Sequence, residues 1–100
     1  MSVEIFRDDE MGYLEWLERH PNGFVVNSRR TLDPEYLVLH RARCTSIRRY
    51  SSMDTDPGGF TERGYVKMCS GSIEELEGHL KCLTNHRSAF SKLCSFCKPT

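Results

Sequence analysis

No stretch of this chain approaches the roughly 18–20 consecutive apolar residues that a membrane-spanning helix needs, which argues against a membrane role. Nor does its charge lean to one sign: 14 Lys and Arg balance 14 Asp and Glu. No global field therefore draws it to polyanions or acidic lipid. Met1 to Glu10 is acidic, without the basic-then-apolar pattern of a secretory leader, so a cytoplasmic location is the expectation. Internal repeats and low-complexity tracts are missing. So are a glycine-rich phosphate loop and any visible nucleophile–base–orienter set, which argues against an enzyme.

What is present is one domain's worth of chain. The 100 residues suit a single unit spanning 1–100 with one modest core. Five cysteines are an odd number for a paired disulfide set, and in a reducing compartment they read as thiols or metal ligands. Charge is uneven locally. Acids crowd the start, whereas between Asn27 and Tyr50 six arginines face only Asp33 and Glu35.

The pattern predicts α+β architecture in the order α-β-β-β-α with a cysteine-bearing C-terminal tail. Met1 to Arg7 is an extended lead-in. Asp8 or Asp9 caps a first helix whose apolar stripe is Met11, Leu14, Leu17 and Trp16. His20-Pro21-Asn22-Gly23 ends it. Phe24 to Asn27 is a strand, and Tyr36 to Cys44 a second, antiparallel to it. The second sends Val38, His40, Ala42 and Cys44 to one face, and Leu37, Leu39, Arg41 and Arg43 to the other. A long turn-rich loop runs from Tyr50 to Gly64. Tyr65 to Cys69 is the third strand. Ser72 with Glu75 has capping-box spacing for a second helix with Ile73, Leu76, Leu80 and Leu83 inward and Cys82 in the core. The economical packing is a three-stranded antiparallel sheet with both helices on one face.

Cys94-x2-Cys97 has the spacing of half a tetrahedral zinc site. Candidates for the other half are His40, Cys44, Cys69, His79, Cys82 and His86. On one straight strand His40 and Cys44 stand about 13 Å apart, so both serve one metal only if the strand breaks between them. Cys44 and Cys69 close predicted strands, and the preferred structural zinc set is Cys44, Cys69, Cys94 and Cys97. Buried thiols are the competing reading, with redox chemistry at the CxxC a weaker one. His40 reads first as a satisfied core or edge histidine, and only after that as a ligand or base-reading residue. The loop aspartates Asp54 and Asp56 read as turn residues.

Arg41 and Arg43 project from one strand face about 6–7 Å apart, close to the phosphate repeat of a nucleic-acid strand. Arg29, Arg30, Arg48 and Arg49 widen that face, His40 orients it or touches the ligand, and Tyr36, Tyr50, Phe60 and Tyr65 offer stacking surfaces. A charged, solvated sheet edge explains the same arginines without a ligand.

Three segments taken together resemble a known domain type. They are Tyr13-x2-Trp16-Leu17-x2-His20-Pro21-x-Gly23-Phe24-Val25-x-Asn27, then Val38-Leu39-His40-Arg41-Ala42-x-Cys44, then Tyr65-x-Lys67-x-Cys69 with Phe90-Ser91-Lys92-x-Cys94-x2-Cys97. The set is similar to a small bacterial domain loosely associated with restriction-like and HNH-nuclease proteins. That resemblance implies a single α/β unit and DNA-related defence work. No HNH motif accompanies it. The expectation is a zinc-stabilised nucleic-acid-binding module, DNA favoured. The alternatives are a protein-interaction domain that homodimerises through sheet edges, and a small enzyme built on His40 with a cysteine or loop aspartate.

Overall fold

The structure is a computed structural model that describes residues 3–31, 35–44, 47, 61, 64–83 and 90–94. Arg48, Arg49, His86, Cys97 and most of the Tyr50–Gly64 loop, with Asp54 and Asp56, lie outside the described residues. The fold is α+β. Its elements are β1 (Glu4–Phe6), α1 (Glu10–Arg19), β2 (Phe24–Arg29), β3 (Leu37–Arg41), β4 (Tyr65–Ser70), α2 (Ile73–Leu83) and β5 (Lys92–Leu93). The sheet has five strands in the order β1-β4-β2-β3-β5. Neighbours are antiparallel except β3 and β5, which run parallel.

The predicted antiparallel pairing of the first two core strands is present, with Val25 opposite His40. The three-stranded sheet is not. The lead-in pairs with β4 through Glu4–Cys69 and Phe6–Lys67, and the tail adds β5 through Val38–Lys92. Both additions are too short to carry a readable period: β1 has three residues and β5 two.

The helices lie on opposite faces, not one. Strand parity separates the two apolar clusters. Tyr13, Trp16 and Leu17 of α1 pack with Val25, Val38 and Cys69. Leu76 and Leu80 of α2 pack with Val26, Leu37, Leu39 and Met68. The three interior strands are therefore covered on both sides, which explains the near-continuous apolar run of β3.

Local chemistry sets the helix ends. Asp9 caps α1 by accepting the Gly12 N–H at 3.0 Å. Ser72 accepts the Glu75 N–H at 3.3 Å, while the Glu75 carboxylate turns to the Ser70 hydroxyl at 2.6 Å. The inward face of α1 is Glu10, Tyr13, Trp16 and Leu17, whereas Met11 is 76% exposed. Glu10 is buried because its Oε1 accepts both the Thr61 N–H (2.7 Å) and the Thr61 hydroxyl (2.8 Å). Cys82 is exposed, contrary to its expected core position. It follows Leu80 by two residues, about 200° around the helix, and so points away from the Leu76–Leu80 stripe.

This assignment of the α2 face is testable by urea unfolding. Leu80→Ala should cost about 2–5 kcal/mol, whereas Cys82→Ser should stay within about 0.5 kcal/mol of the parent. Equal losses would contradict the helix orientation.

Candidate metal centre and arginine turn

The strand carrying His40 does break. β2 begins at Phe24, and Phe24 pairs with Arg41, so β3 has no further rung on that side. The Ala42 N–H instead donates to Gly23 O at 2.9 Å, and the Cys44 N–H closes a turn onto Arg41 O at 3.0 Å. The turn carries Cys44 back beneath the sheet, where it is buried. From the other side, β5 runs parallel to β3, and the Cys94 N–H donates to Leu39 O at 2.9 Å. Cys94 thereby comes alongside His40, the next residue in that register.

The result is a buried group of His40, Cys44 and Cys94, with one ligand atom from each lying within 4.8 Å of the others. The two sulfurs stand 3.8 Å apart. That is too long for a disulfide at about 2.05 Å. It matches the edge of a tetrahedron with Zn–S bonds of about 2.3 Å, which is about 3.8 Å. His40 is only 7% exposed, and its Nδ1 has no hydrogen-bond partner among the described residues. Burial, aided by the Lys67 ammonium, holds its pKa down at about 4. The imidazole is therefore neutral, the form that ligates metal. This group can hold a metal ion.

The group differs from the expected set. Cys44 and Cys94 converge as predicted, but His40 joins them where Cys69 was expected. Cys69 sits in β4, opposite Val25, which in turn faces His40. Two strand spacings of about 4.8 Å separate them. Burial raises the Cys69 thiol pKa well above its ordinary value, which keeps it a protonated core thiol. His79 belongs to α2, on the other side of the sheet.

The arginines divide between the two ends of the sheet. Arg41 and Arg43 line a depression of about 310 Å³ with Pro21, Asn22 and Gly23. Arg43 is oriented there by donating Nε to Pro21 O (3.1 Å) and Nη2 to Asn22 Oδ1 (3.0 Å). Arg29 closes the far end of β2, about 17 Å away, with its guanidinium 4.6 Å from the Tyr36 ring. Arg30 is engaged by Asp8 through two hydrogen bonds, of 2.7 and 3.1 Å, which hold the Asp8 carboxyl below its usual pKa. A larger depression of about 500 Å³ beside Trp16 and His20 carries two carboxylates, Glu4 and Glu75, and so does not suit an anion.

A second polar cluster occupies the middle of the α1 face. Lys67 is 2% exposed and donates to Asn27 Oδ1 at 2.7 Å. The Asn27 amide donates to Tyr36 Oη at 3.3 Å. Desolvation lowers the Lys67 pKa to about 8.

The His40 environment has a pH signature in protein freed of metal by a chelator. The folded state holds His40 near 4 against an ordinary 6.5. Between those values the unfolded chain takes up a proton that the fold refuses. The contribution of His40 is complete above 6.5 and is lost as pH falls through about 4. The loss should reach about 3–4 kcal/mol at about 1.4 kcal/mol per unit. Unfolding free energies across this window should fall less steeply in His40→Leu. An identical slope would assign the effect to other groups. Lys67 works in a separate window, its contribution complete only above 10.5 and lost as pH falls through about 8. No protein-family model matches this chain, and no curated protein or solved structure matches it.

Proposed function

We propose that this chain is a zinc-stapled nucleic-acid-binding module, with DNA the favoured ligand. The observation that carries the reading is the convergence of buried His40, Cys44 and Cys94, with His40 Nδ1 lacking a hydrogen-bond partner among the described residues. Cys97 follows Cys94 at the CxxC spacing and is the natural fourth ligand of a Cys3His site. Zinc suits two or more thiolates with an imidazole better than the harder oxygen-seeking cations do. A closed four-ligand site is structural, so the metal tethers the tail to the sheet and performs no chemistry. The nucleic-acid arm of the reading rests on Arg41 and Arg43 beside the depression next to the metal ligands. Guanidinium forks suit phosphate oxygens.

A second reading, self-association, has its own support. Ile5 and Leu93 are exposed on the two edge strands, at 47% and 43%, and edge strands offer unpaired backbone groups to another chain.

Protein purified under reducing conditions should hold one zinc per chain by elemental analysis. Cobalt substitution should give the intense visible bands of a tetrahedral thiolate site. Cys94→Ser should lose most of the metal. A titration of duplex and single-stranded DNA and RNA at two salt concentrations tests the ligand. Arg41→Gln with Arg43→Gln should weaken binding and reduce the salt slope by about two units, at about 0.9 per phosphate. Unchanged affinity and slope in that double variant would remove the nucleic-acid arm. A concentration-dependent dimer that binds no nucleic acid would favour self-association.

A further inference from the structure

The sequence interleaves two sets of residues that do different things. His40 and Cys44 point to the metal group, and Arg41 and Arg43 line the depression. The arginines thus sit on a turn whose two ends are both metal ligands. Its backbone is tied by the Ala42 N–H to Gly23 O, the Cys44 N–H to Arg41 O and the Ile47 N–H to Cys44 O. Through the first of these it is latched to the turn at His20–Gly23, which is itself closed by the Gly23 N–H on His20 O at 2.9 Å. Arg43 reaches across the latch to Pro21 and Asn22. The floor of the depression is therefore two abutting turns, and its cationic wall is the turn between the metal ligands.

From this juxtaposition we infer that the metal centre positions the Arg41–Arg43 turn to take a phosphodiester group, so that metal loading and nucleic-acid binding are coupled. The inference rests on the zinc-stapled, nucleic-acid-binding reading above and adds a mechanism to it. Without metal, the Cys44 and Cys94 sulfurs meet only as a 3.8 Å contact and the His40 ring is not joined to them through a common atom. With metal, both ends of the turn are fixed to one point, and the tail is fixed to the same point through Cys94. Ordering the turn before the ligand arrives removes part of the entropic cost of binding. Linkage then requires the converse: bound nucleic acid must tighten the hold on zinc by the same factor.

The test compares zinc-loaded, chelator-stripped and zinc-restored protein in the anisotropy of a labelled single-stranded DNA oligonucleotide. Trp16 fluorescence and far-ultraviolet circular dichroism follow the fold in parallel. Stripping should weaken binding at least about fivefold, the lower end of typical coupling, with the Trp16 signal retained, and restored zinc should recover it. Zinc affinity measured against a competing chelator should rise by a matching factor when oligonucleotide is present. Arg41→Gln with Arg43→Gln should keep one zinc per chain and lose both the binding and this rise. Inorganic phosphate, added at matched ionic strength, should compete no better than chloride. Strong competition would overturn the phosphodiester as ligand in favour of a small phosphate.

Each failure has its own signature. Protein that takes up no zinc removes the metal centre and the coupling together. Zinc uptake without oligonucleotide binding in any state removes the nucleic-acid reading. Equal affinities with and without zinc overturn the coupling alone. Loss of the Trp16 signal on stripping would make the metal a staple of the whole fold, and would overturn the local positioning inferred here.

Discussion

The hydrogen bond from the Ala42 N–H to Gly23 O is the constraint on which the working end of this fold depends. It forms because the turn through Pro21 and Asn22 delays the start of β2 until Phe24. The last rung that β2 offers is Phe24–Arg41, and a buried donor beyond it must find another acceptor. Gly23 supplies the carbonyl and permits the approach. A Cβ at Gly23 would lie 2.6 Å from Trp16 Cη2 and 3.2 Å from the carbonyl oxygens of His20 and Ser70. The placement of Trp16 in the core, the end of β3 and the return of Cys44 under the sheet are thus one packing solution. A side chain at Gly23 would push against Trp16 and against the His20 and Ser70 carbonyls.

The α1 face of the sheet is an apolar layer with a polar seam through it. The register Phe6–Lys67–Asn27–Val38 sets a lysine and an amide beneath α1. Lys67 survives there because its ammonium has the Asn27 carbonyl and lies 5.9 Å from the Tyr13 ring centroid and 5.7 Å from that of Tyr65, within the range of cation–π attraction. The nearby Glu10 carboxylate favours the charged form, though desolvation is the larger effect. Glu10 in turn fixes Thr61, and Thr61 O accepts the Asp8 N–H at 2.7 Å. Asp8 adopts a left-handed φ of 56° there, a conformation that aspartate tolerates better than most residues. The seam therefore ties the N-terminus of α1 to the end of the long loop. The same Lys67 charge helps to keep His40 neutral, linking the seam to the His40–Cys44–Cys94 group.

How much of this was legible in the sequence varied with the kind of signal. Periodicity and turn chemistry located the hairpin of β2 and β3 and the Ser72 cap, and narrowed the first cap to Asp8 or Asp9, because each depends on residues near in sequence. It could not locate β5, whose two exposed residues are held by backbone bonds to Leu37 and Leu39 on either side. Glu10 read as an ordinary acidic residue at a helix start, because its partner Thr61 lies 51 positions away. The preference for Cys69 over His40 as a co-ligand of Cys44 assumed that β3 ran straight to Cys44. That assumption was open to correction from the sequence itself. A strand beginning at Phe24 after a proline turn cannot pair all nine residues from Tyr36 to Cys44 if it ends near Arg29. Counting rungs on both strands would have stopped β3 at Arg41.

The choice between a metal centre and a cluster of buried thiols turns on His40. Cysteines behave as small hydrophobes and need no ligand to be buried. If the site held only thiols, a leucine or valine at position 40 would continue the apolar run of β3 without leaving a polar atom unsatisfied. A buried polar group lacking its hydrogen bond costs about 1–3 kcal/mol, and the depressed pKa of His40 adds an acid sensitivity that an aliphatic residue would not bring. Both penalties disappear if a metal takes the ring nitrogen, since the neutral imidazole is then the required form. The turn that follows points the same way. It returns Cys44 to the level of His40 and places its sulfur at a tetrahedral edge length from that of Cys94. Thiol burial accounts for the two sulfurs; a bound cation would account for the histidine beside them as well.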